Sequence, residues 1–424
     1  MNKRFRPGVS FSDFVVRDSM SRRSKVGDER EERDFRRGWM LIMIVIAGFG
    51  LLWVRLVVLQ GFYGERYRVL SDQNRVKKIK LSAPRGTIFD RNNLAIAKNH
   101  ESGTMPAGRQ VMNNGIEIKS YVREYPFGEA VAHVTGFLGR AGETEVGLIK
   151  SLERKYDADD LVGRAGLELQ YEELLRGEDG GKLIEVDNMG GLSRDLGNKN
   201  PVAGTDLKTS IDGALSRVAL DAMGGKKGAV IVSDPNTGEI LALVSSPSFD
   251  PTKIADYLTS HDLPMFNRAI SGVYPPGSTF KMITMVAAVD SGKVDLGYTY
   301  EDHGVIKVGD FSYTNWLFTK RGRTEGIVGF EKGLAHSVDT FFYKIGEMTS
   351  PQVMADWSYK FGLGDLTGID LPGEVGGLVA TPDWKEKTKG EKWFLGNTYH
   401  MAIGQGDLLT TPLQVNLMTN VLAT

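Results

Sequence analysis

The sequence contains no cysteine among its 424 residues, which excludes disulfides, thiolate nucleophiles, iron–sulfur clusters and cysteine-based zinc sites. Its six histidines form no H-E-x-x-H pattern and no close pair, so a zinc hydrolase is not expected. A phosphate-binding G-x-x-x-x-G-K-[ST] loop and a G-x-S-x-G nucleophile elbow are also lacking. Lysine and arginine total 52 against 53 acidic residues, a balance that gives no reason to expect nucleic-acid binding.

One long apolar run, residues 38–59, stands apart from the rest of the composition. As a helix its roughly 22 residues span ~33 Å, enough for a hydrocarbon core of ~30 Å. Trp39 and Trp53 suit the two interfaces, and Arg55 can extend its charge towards the headgroups. The run is too long for a cleaved signal peptide and no small-x-small cleavage site follows it, so we predict a transmembrane helix.

The residues around this helix predict its orientation. Residues 18–37 hold seven Lys and Arg, whereas residues 60–79 hold five. This bias, together with the position of all chemically interesting residues after the helix, places the N-terminus on the cytoplasmic side. Residues 1–37 mix both charges without apolar periodicity and are predicted to be a disordered cytoplasmic tail.

Residues 60–205 carry few clear patterns. We predict a turn at 90–93 between two short strands, a loop over 98–118, and helices near 143–157 and 164–176. The last helix bears three carboxylates, which we interpret as a solvated helix face rather than as a glycosidase pair: Glu168, Glu172 and Glu173.

From residue 206 onward, strands alternate with apolar helices, a pattern typical of an α/β or α+β domain. Apolar runs at 229–232 and 240–244 flank a turn with Pro and Gly at 234–238, which predicts a hairpin. Because the runs are apolar on both faces, we expect a central strand covered on each side. Residues 279–290 are apolar almost all round and predict a buried helix.

The strongest chemical signal lies at the start of that helix. The Pro-Pro-Gly sequence at 275–277 places Ser278 at the helix start, with Lys281 one turn later on the same face. A serine hydroxyl needs a base within ~3 Å, and a lysine can be that base when burial lowers its pKa. Free N–H groups at the helix start can stabilise an oxyanion. The alternative, a capping Ser with an exposed Lys, fits an apolar helix poorly.

A second pair of candidates, Ser337 and Asp339, opens a later helical segment. A second serine beside Lys281 could relay a proton to a leaving amine. Helix capping by Ser337 or Asp339 explains the pattern equally well, so both interpretations stay open. His336 has no nucleophile elbow beside it and is interpreted as incidental, and residues 301–304 are interpreted as a turn.

These residues resemble the class B penicillin-binding proteins, which are membrane-anchored D,D-transpeptidases of the bacterial cell wall. The resemblance covers nearly everything after the tail, and an Asp at position 339 resembles the elongation-type penicillin-binding protein 2 branch. The ordered matches are PRGTIFDRN at 84–92, YPFG at 125–128, HVTG at 133–136, GRAGLE at 163–168, the hairpin at 229–247, GQG at 404–406 and TPLQ at 411–414.

The resemblance implies an α/β (α+β) fold in three parts. These are a single transmembrane helix at 38–59, an elongated β-rich pedestal at 60–205, and a transpeptidase domain at 206–424 with a central antiparallel sheet sandwiched by helices. The segment between Ala97 and Tyr125 is short for the family, so a reduced distal lobe is expected.

The end of the sequence differs from the family pattern. The family's Lys-[Ser/Thr]-Gly strand should follow the GQG motif and is not found, and residues 387–390 do not match it. An apolar helical run at 412–423 reaches the last residue without a cap. We therefore expect the transpeptidase domain to be incomplete and the chain, as written, to be catalytically weak or inactive.

By the same resemblance, Ser278 is the acyl-accepting nucleophile, Lys281 its general base, and Ser337 with Asp339 the second motif. An ionised Asp339 beside Lys281 would raise the lysine pKa and oppose its role as base. We hypothesise that Asp339 orients the Lys281/Ser337 pair through hydrogen bonds.

The implied reaction cross-links peptidoglycan stem peptides through an acyl-enzyme, with β-lactams as covalent inhibitors and with no metal or organic cofactor. The implied setting is the cell membrane, with the catalytic domain outside the cytoplasm, a polytopic glycan polymerase and other cell-wall synthesis proteins as partners, and no nucleic acid. Two alternatives are a catalytically silent scaffold of the cell-wall synthesis complex, which the missing strand motif favours, and a β-lactamase or β-lactam sensor.

Overall fold

The structure, a computed structural model, describes residues 26–102, 112–113, 116–117, 120–142, 156–157, 160–187 and 191–424. It divides into two compact units, one ending at Lys77 and the other beginning at Lys78. The predicted boundary between pedestal and transpeptidase domain, at residues 205 and 206, lies inside the second unit and stays a prediction.

The first unit is helical. Helix α1 (Val26–Val57) continues through a π-helical turn (Val58–Phe62), and α2 (Gly64–Arg75) follows. Among the described residues, one stretch, Arg36–Phe62, is long and apolar enough to cross a membrane, which contains the predicted run at 38–59. The helix already begins at Val26, so the prediction of disorder is wrong for residues 26–37, where Glu and Arg have high helix propensity. The rest of the predicted tail lies outside the described residues.

The first half of the second unit is rich in short strands. One sheet has the order β1-β9-β10, and another has the order β11-β2-β3-β6, with β11 parallel to β2. The strands are β1 (Val76–Leu81), β2 (Ile88–Phe89), β3 (Ala95–Ser102), β4 (Met112–Asn113), β5 (Ile116–Glu117), β6 (Ser120–Glu124), β7 (Leu138–Arg140), β8 (Leu161–Gly163), β9 (Gly180–Val186), β10 (Leu192–Lys199) and β11 (Leu207–Lys208). The helices are α3 (Ala132–Thr135), α4 (Gly166–Gln170) and α5 (Glu172–Leu175).

The predicted turn at 90–93 is confirmed between β2 and β3. The buried Asp90 carboxylate accepts the backbone N–H groups of Asn92 and Leu94, both at 2.8 Å. The loop predicted over 98–118 is wrong in the part that the structure describes, because β3 continues to Ser102 and pairs with β6, and β4 pairs with β5. The remainder of that loop, and the helix predicted near 143–157, lie almost entirely outside the described residues.

The carboxylates predicted to form a solvated helix face behave differently from that prediction. Glu168 is fully buried, where it accepts hydrogen bonds from Arg85 Nη2 at 2.8 Å and from Arg123 Nε at 2.7 Å. Glu172, on α5, also binds Arg85 at 2.8 Å. Only Glu173 is exposed as expected. The prediction is wrong for Glu168 because two arginines that are distant in sequence, Arg85 before β2 and Arg123 on β6, neutralise its charge inside the protein.

The second half of this unit surrounds a hairpin with helices. Its strands are β12 (Gly228–Ser233), β13 (Ile240–Ser246), β14 (Tyr300–Asp302), β15 (Val305–Val308), β16 (Phe311–Thr314) and β17 (Gly326–Val328). Its helices are α6 (Gly213–Met223), α7 (Lys281–Asp290), α8 (Trp316–Arg321), α9 (Phe330–Ala335), α10 (Asp339–Thr349), α11 (Pro351–Lys360), α12 (Pro382–Lys389), α13 (Leu395–Ala402) and α14 (Pro412–Ala423).

The predicted hairpin is confirmed as the antiparallel pair β12–β13, with α6 packed on β13 and α14 on β12. The expectation of a strand covered on each side is met in part. The second half of β13 is buried, whereas β12 is half-buried along its length.

Helix α7 occupies the centre of this second half of the unit, as its apolar sequence predicts. Ile283 and Ala287 join one buried cluster with α11, α13 and α14. Ala288 joins a second cluster with α10 and α13. A side chain at the start of α7 is therefore enclosed by apolar groups on more than one side.

Candidate active site

Ser278 lies on a short 3₁₀ turn, Gly277–Phe280, that leads directly into α7. Gly277 has φ +60°, a left-handed conformation that glycine adopts at little cost. Its N–H donates to the carbonyl of Gly404 at 2.8 Å, and a Cβ on Gly404 would lie only 2.2 Å from the Gly277 carbonyl oxygen. The GQG motif thus fixes the backbone of this turn by close contact, while Ser278 itself is exposed.

Ser337 lies where α9 ends, at the left-handed position of a Schellman motif. Its N–H donates to the Leu334 carbonyl at 3.1 Å, and the next N–H, that of Val338, donates to the Gly333 carbonyl at 2.9 Å. This position is usually glycine, yet Ser337 adopts it with φ +55°. Such a conformation costs a non-glycine residue roughly 1–2 kcal/mol. The strained backbone is what directs the Ser337 hydroxyl towards Ser278.

Lys281 joins these two segments. Its Nζ donates to Ser337 Oγ at 2.9 Å, to the Ser337 carbonyl at 3.0 Å and to Asp339 Oδ1 at 2.6 Å. The Ser337 hydroxyl is in turn 2.8 Å from Ser278 Oγ. The Lys281 side chain is only 1% exposed, as the sequence predicted, whereas that of Asp339 is 17% exposed. The four predicted residues therefore meet in one hydrogen-bonded cluster.

The electrostatics of the cluster favour a lysine that can lose its proton. Burial lowers the pKa of Lys281 below its ordinary value, because desolvation disfavours the ammonium form. The nearby Asp339 carboxylate raises the same pKa, as the sequence analysis anticipated, but its effect is smaller than that of burial. The amine also lies 5.4 Å from the centre of the Phe342 ring, in apolar surroundings.

The geometry differs from the simplest expectation in one respect. Within the described residues, no hydrogen bond joins Lys281 directly to Ser278, and Ser337 stands between them. Neither Ser337 nor Asp339 caps α10 with its side chain, since the residue before the helix is Val338 and no side-chain cap is present. The arrangement is that of a proton relay rather than of a helix cap.

His336 and residues 387–390, which the sequence analysis set apart from the site, have other partners. His336 directs its Nδ1 to Glu325 Oε2 at 3.0 Å, apart from the serines. Residues 387–390 lie on and just after α12, where Lys387 binds Asp383 and Lys389 binds Asp407. In the part of the chain that the structure describes, no group of three or more His, Asp or Glu side chains could hold a metal ion.

Sequence analysis missed the most connected residue near the site. Asp302, interpreted as part of a turn, is 2% exposed and accepts four hydrogen bonds, one of them from Thr340, which follows Asp339. The three-residue strand Tyr300–Asp302, followed by His303 and Gly304, is too short to give a periodic signal for such a role. The relevant partners lie up to 38 residues away in sequence.

Comparison with protein families gives two matches. Residues 228–424 match the penicillin-binding protein transpeptidase domain, and residues 107–209 match the penicillin-binding protein dimerisation domain. The chain is also similar to the peptidoglycan D,D-transpeptidase MrdA of Acinetobacter baumannii, with 32% identity over 93% of this chain and 68% of that protein.

Solved structures give the same picture. The crystal structure of Pseudomonas aeruginosa PBP2 in complex with WCK 5153 is similar with a TM-score of 0.68 and 32% identity, over 82% of this chain and 70% of that one. A structure described as the structural coordination of polymerization and crosslinking by a peptidoglycan synthase complex contains a chain that is similar with a TM-score of 0.67 and 28% identity. That match covers 91% of this chain and 77% of the other.

Proposed function

This chain belongs to the penicillin-binding protein 2 family of peptidoglycan D,D-transpeptidases, and from that premise we propose that Ser278 is the residue that its substrate acylates. As a family member it cross-links stem peptides in cell-wall synthesis and binds penicillin. The observation that carries the proposal is the hydrogen-bonded path from Ser278 through Ser337 to Lys281, whose amine is shielded from water.

Acylation begins when Ser278 Oγ attacks the penultimate D-Ala carbonyl of a stem peptide. Its proton passes to Ser337, while the Ser337 proton passes to the neutral amine of Lys281. The tetrahedral intermediate collapses, the bond to the terminal D-Ala breaks, and the proton returns along the same path to the leaving amine. An amine of a second stem peptide then attacks the ester and loses its proton through Ser337 to Lys281. The ester bond to Ser278 breaks as the cross-link forms, and the proton returns along the same path to Ser278 Oγ.

Asp339 has a supporting role in this scheme. Its short contact with Lys281 holds the amine against Ser337, and burial lowers the lysine pKa, which favours the neutral form. The scheme as proposed uses no metal ion and no organic cofactor.

The chain is a membrane-anchored protein, with the described span at Arg36–Phe62. We place its N-terminus in the cytoplasm and its catalytic half outside, because basic residues are more frequent before the span than after it. Its partners are cell-wall synthesis proteins. A polytopic glycan polymerase is the partner we propose, since a similar chain occurs in a complex that couples polymerization to crosslinking.

The alternatives are less well supported. A silent scaffold needs none of the buried lysine geometry, and a β-lactamase or sensor does not match the relatives, which are transpeptidases. Fast hydrolysis of a bound penicillin would favour the β-lactamase.

Covalent labelling by a fluorescent penicillin tests the proposal. The purified full chain is followed for hours by fluorescence and intact mass. We expect one adduct per chain, located on the peptide that contains Ser278 and absent in Ser278→Ala. Ser291→Ala, at the end of α7, is the matched control and should label like the original chain. An adduct that persists in Ser278→Ala would overturn the assignment.

A further inference from the structure

The Asp302 carboxylate gathers hydrogen bonds from four separate parts of the catalytic half. Its Oδ1 accepts the Gly304 N–H at 2.8 Å and the Thr340 hydroxyl at 2.7 Å. Its Oδ2 accepts the Glu325 N–H at 2.9 Å and the Asn315 amide at 3.1 Å. Asp302, Asn315 and Thr340 are all buried. Four donors hold the pKa of Asp302 below its ordinary value despite burial, so the group is a carboxylate.

Three of the residues that donate hydrogen bonds to Asp302 belong to one short segment, contact it, or lie next to a residue that contacts it. This segment, residues 336–340, contains Ser337 and Asp339. Thr340 belongs to this segment and binds Asp302 directly. Glu325, whose backbone binds Asp302, reaches His336 with its side chain at 3.0 Å. The residue after Asn315 is Trp316, whose indole N–H donates to the His336 carbonyl at 3.0 Å. Each end of the segment is therefore tied, directly or through one residue, to the same carboxylate.

From this arrangement we propose that Asp302 is a positioning residue for acylation: it fixes the 336–340 segment so that Ser337 and Asp339 stay within hydrogen-bonding distance of Lys281. The proposal rests on the function proposed above for Ser278. Asp302 touches neither Ser278 nor Lys281, and its effect passes through Thr340, Glu325 and Asn315.

The segment needs such support because its key residue is strained. Ser337 occupies a left-handed backbone conformation that relaxation of the surrounding chain would abandon. A shift of about 1 Å in a positioned group can lower a rate ~100-fold. Fixing Thr340, next to Asp339, prevents α10 from sliding away from Lys281.

Asparagine cannot replace this carboxylate. Its amide presents one oxygen and one NH₂ group, whereas the site offers a backbone N–H on each side, from Gly304 and from Glu325. Asn315 could rotate its amide and offer its oxygen, which has no hydrogen-bond partner among the described residues, and Thr340 could reverse its hydroxyl. Neither backbone N–H can become an acceptor. In either orientation, the NH₂ group of the new amide therefore faces one backbone N–H, so that one donor points at another.

The first test compares Asp302→Asn with a matched variant elsewhere. Asp90→Asn also replaces a buried carboxylate that accepts backbone N–H groups, but in the strand-rich half. We expect Asp302→Asn to lower the rate of penicillin labelling about 10- to 100-fold. Asp90→Asn should lower the thermal midpoint and leave the labelling rate of the folded protein unchanged. Equal labelling rates in the two variants would overturn the proposal.

The second test uses rescue at Thr340. Thr340→Val removes the hydroxyl that binds Asp302, whereas Thr340→Ser keeps it at nearly the same place. We expect slow labelling in Thr340→Val and restored labelling in Thr340→Ser, with the two variants compared at equal folded fraction. If Thr340→Val labels as fast as Thr340→Ser, Asp302 does not act through this contact.

A third readout does not depend on acylation at all. The Lys281 signal in ¹³C-lysine NMR spectra is identified by its loss in Lys281→Arg, and its titration is followed with and without Asp302→Asn. As Asp339 recedes, the midpoint should fall, because a carboxylate near the ammonium raises the lysine pKa. An unchanged midpoint overturns the positioning role. Absence of Ser278 labelling in the original chain would instead contradict the proposed function.

Discussion

Two clusters in this protein bury charged side chains, and they stabilise the buried charge to different degrees. In the strand-rich half, Glu168 is fully buried between Arg85 and Arg123. In the catalytic half, Lys281 is equally buried but faces a single carboxylate, that of Asp339, and the hydroxyl of Ser337. The first cluster pairs two arginines with two glutamates, and the second pairs one lysine with one aspartate.

The difference shows how residue choice separates structure from chemistry. An arginine stays charged under all ordinary conditions, so the cluster around Glu168 can only hold strands and helices together. A lysine in a desolvated site can give up its charge, and burial lowers the pKa of Lys281 accordingly. Exposure of Ser278 adds the remaining requirement, which is access for a substrate.

The largest expected effect comes from replacing Lys281 by arginine, which is the cation found in the Glu168 cluster. Lys281→Arg keeps the positive charge but removes the ability to accept a proton. We expect labelling by fluorescent penicillin to fall about 10²- to 10⁴-fold, the usual contribution of a general base. Arg85→Lys is the reciprocal control and should change stability but not the labelling of folded protein. Rapid labelling of Lys281→Arg would show that Lys281 is not the base.

The next effect is on stability. Glu168→Gln leaves Arg85 and Arg123 buried without their shared carboxylate, and removing one partner of a buried ion pair costs about 3–5 kcal/mol. Chemical denaturation of the full chain in detergent should show this loss. The exposed neighbour Glu173→Gln should change the free energy of unfolding by about 1 kcal/mol or less, because interactions of an exposed carboxylate contribute little. Equal losses in the two variants would mean that the Glu168 cluster is not stabilising.

A smaller effect is expected on the pH dependence of labelling. Acylation requires neutral Lys281, so its rate rises with pH through the lysine pKa. Asp339 raises that pKa, so Asp339→Asn should move the rising limb to lower pH. Labelling rates measured across the pH range test this. An unchanged labelling rate and an unchanged pH profile would show that Asp339 has no role in acylation.

The smallest effect isolates backbone strain from chemistry. Ser337→Gly and Ser337→Ala both remove the relay hydroxyl and should label equally poorly. Only glycine also relieves the left-handed conformation, so Ser337→Gly should be more stable than Ser337→Ala by about 1 kcal/mol. Thermal unfolding of the two variants measures the difference. Equal stabilities would mean that the Schellman turn imposes no strain on Ser337.

Local sequence signals predicted the parts of this protein that depend on local structure. The turn with Pro and Gly predicted the β12–β13 hairpin, and the apolar run predicted α7 with Lys281 enclosed at its start. Ser278 and Lys281 could be paired from sequence because a single helical turn separates them.

The remaining features depend on contacts between distant parts of the chain. Arg85 meets Glu168 across 83 residues, and Asp302 meets Thr340 across 38. A carboxylate on a short helix shows no periodicity that distinguishes burial in an ion pair from exposure to solvent. The left-handed backbone of Ser337 was equally hidden, because glycine is the usual residue at that position and serine gives no warning.

The contact between Gly404 and Gly277 limits how this protein can escape an inhibitor. A side chain at 404 would collide with the backbone that carries Ser278. Under the function proposed above, a β-lactam and the stem peptide must reach the same Ser278 oxygen atom. On that proposal, a change that repacks this turn is expected to slow cross-linking as well as acylation by a β-lactam.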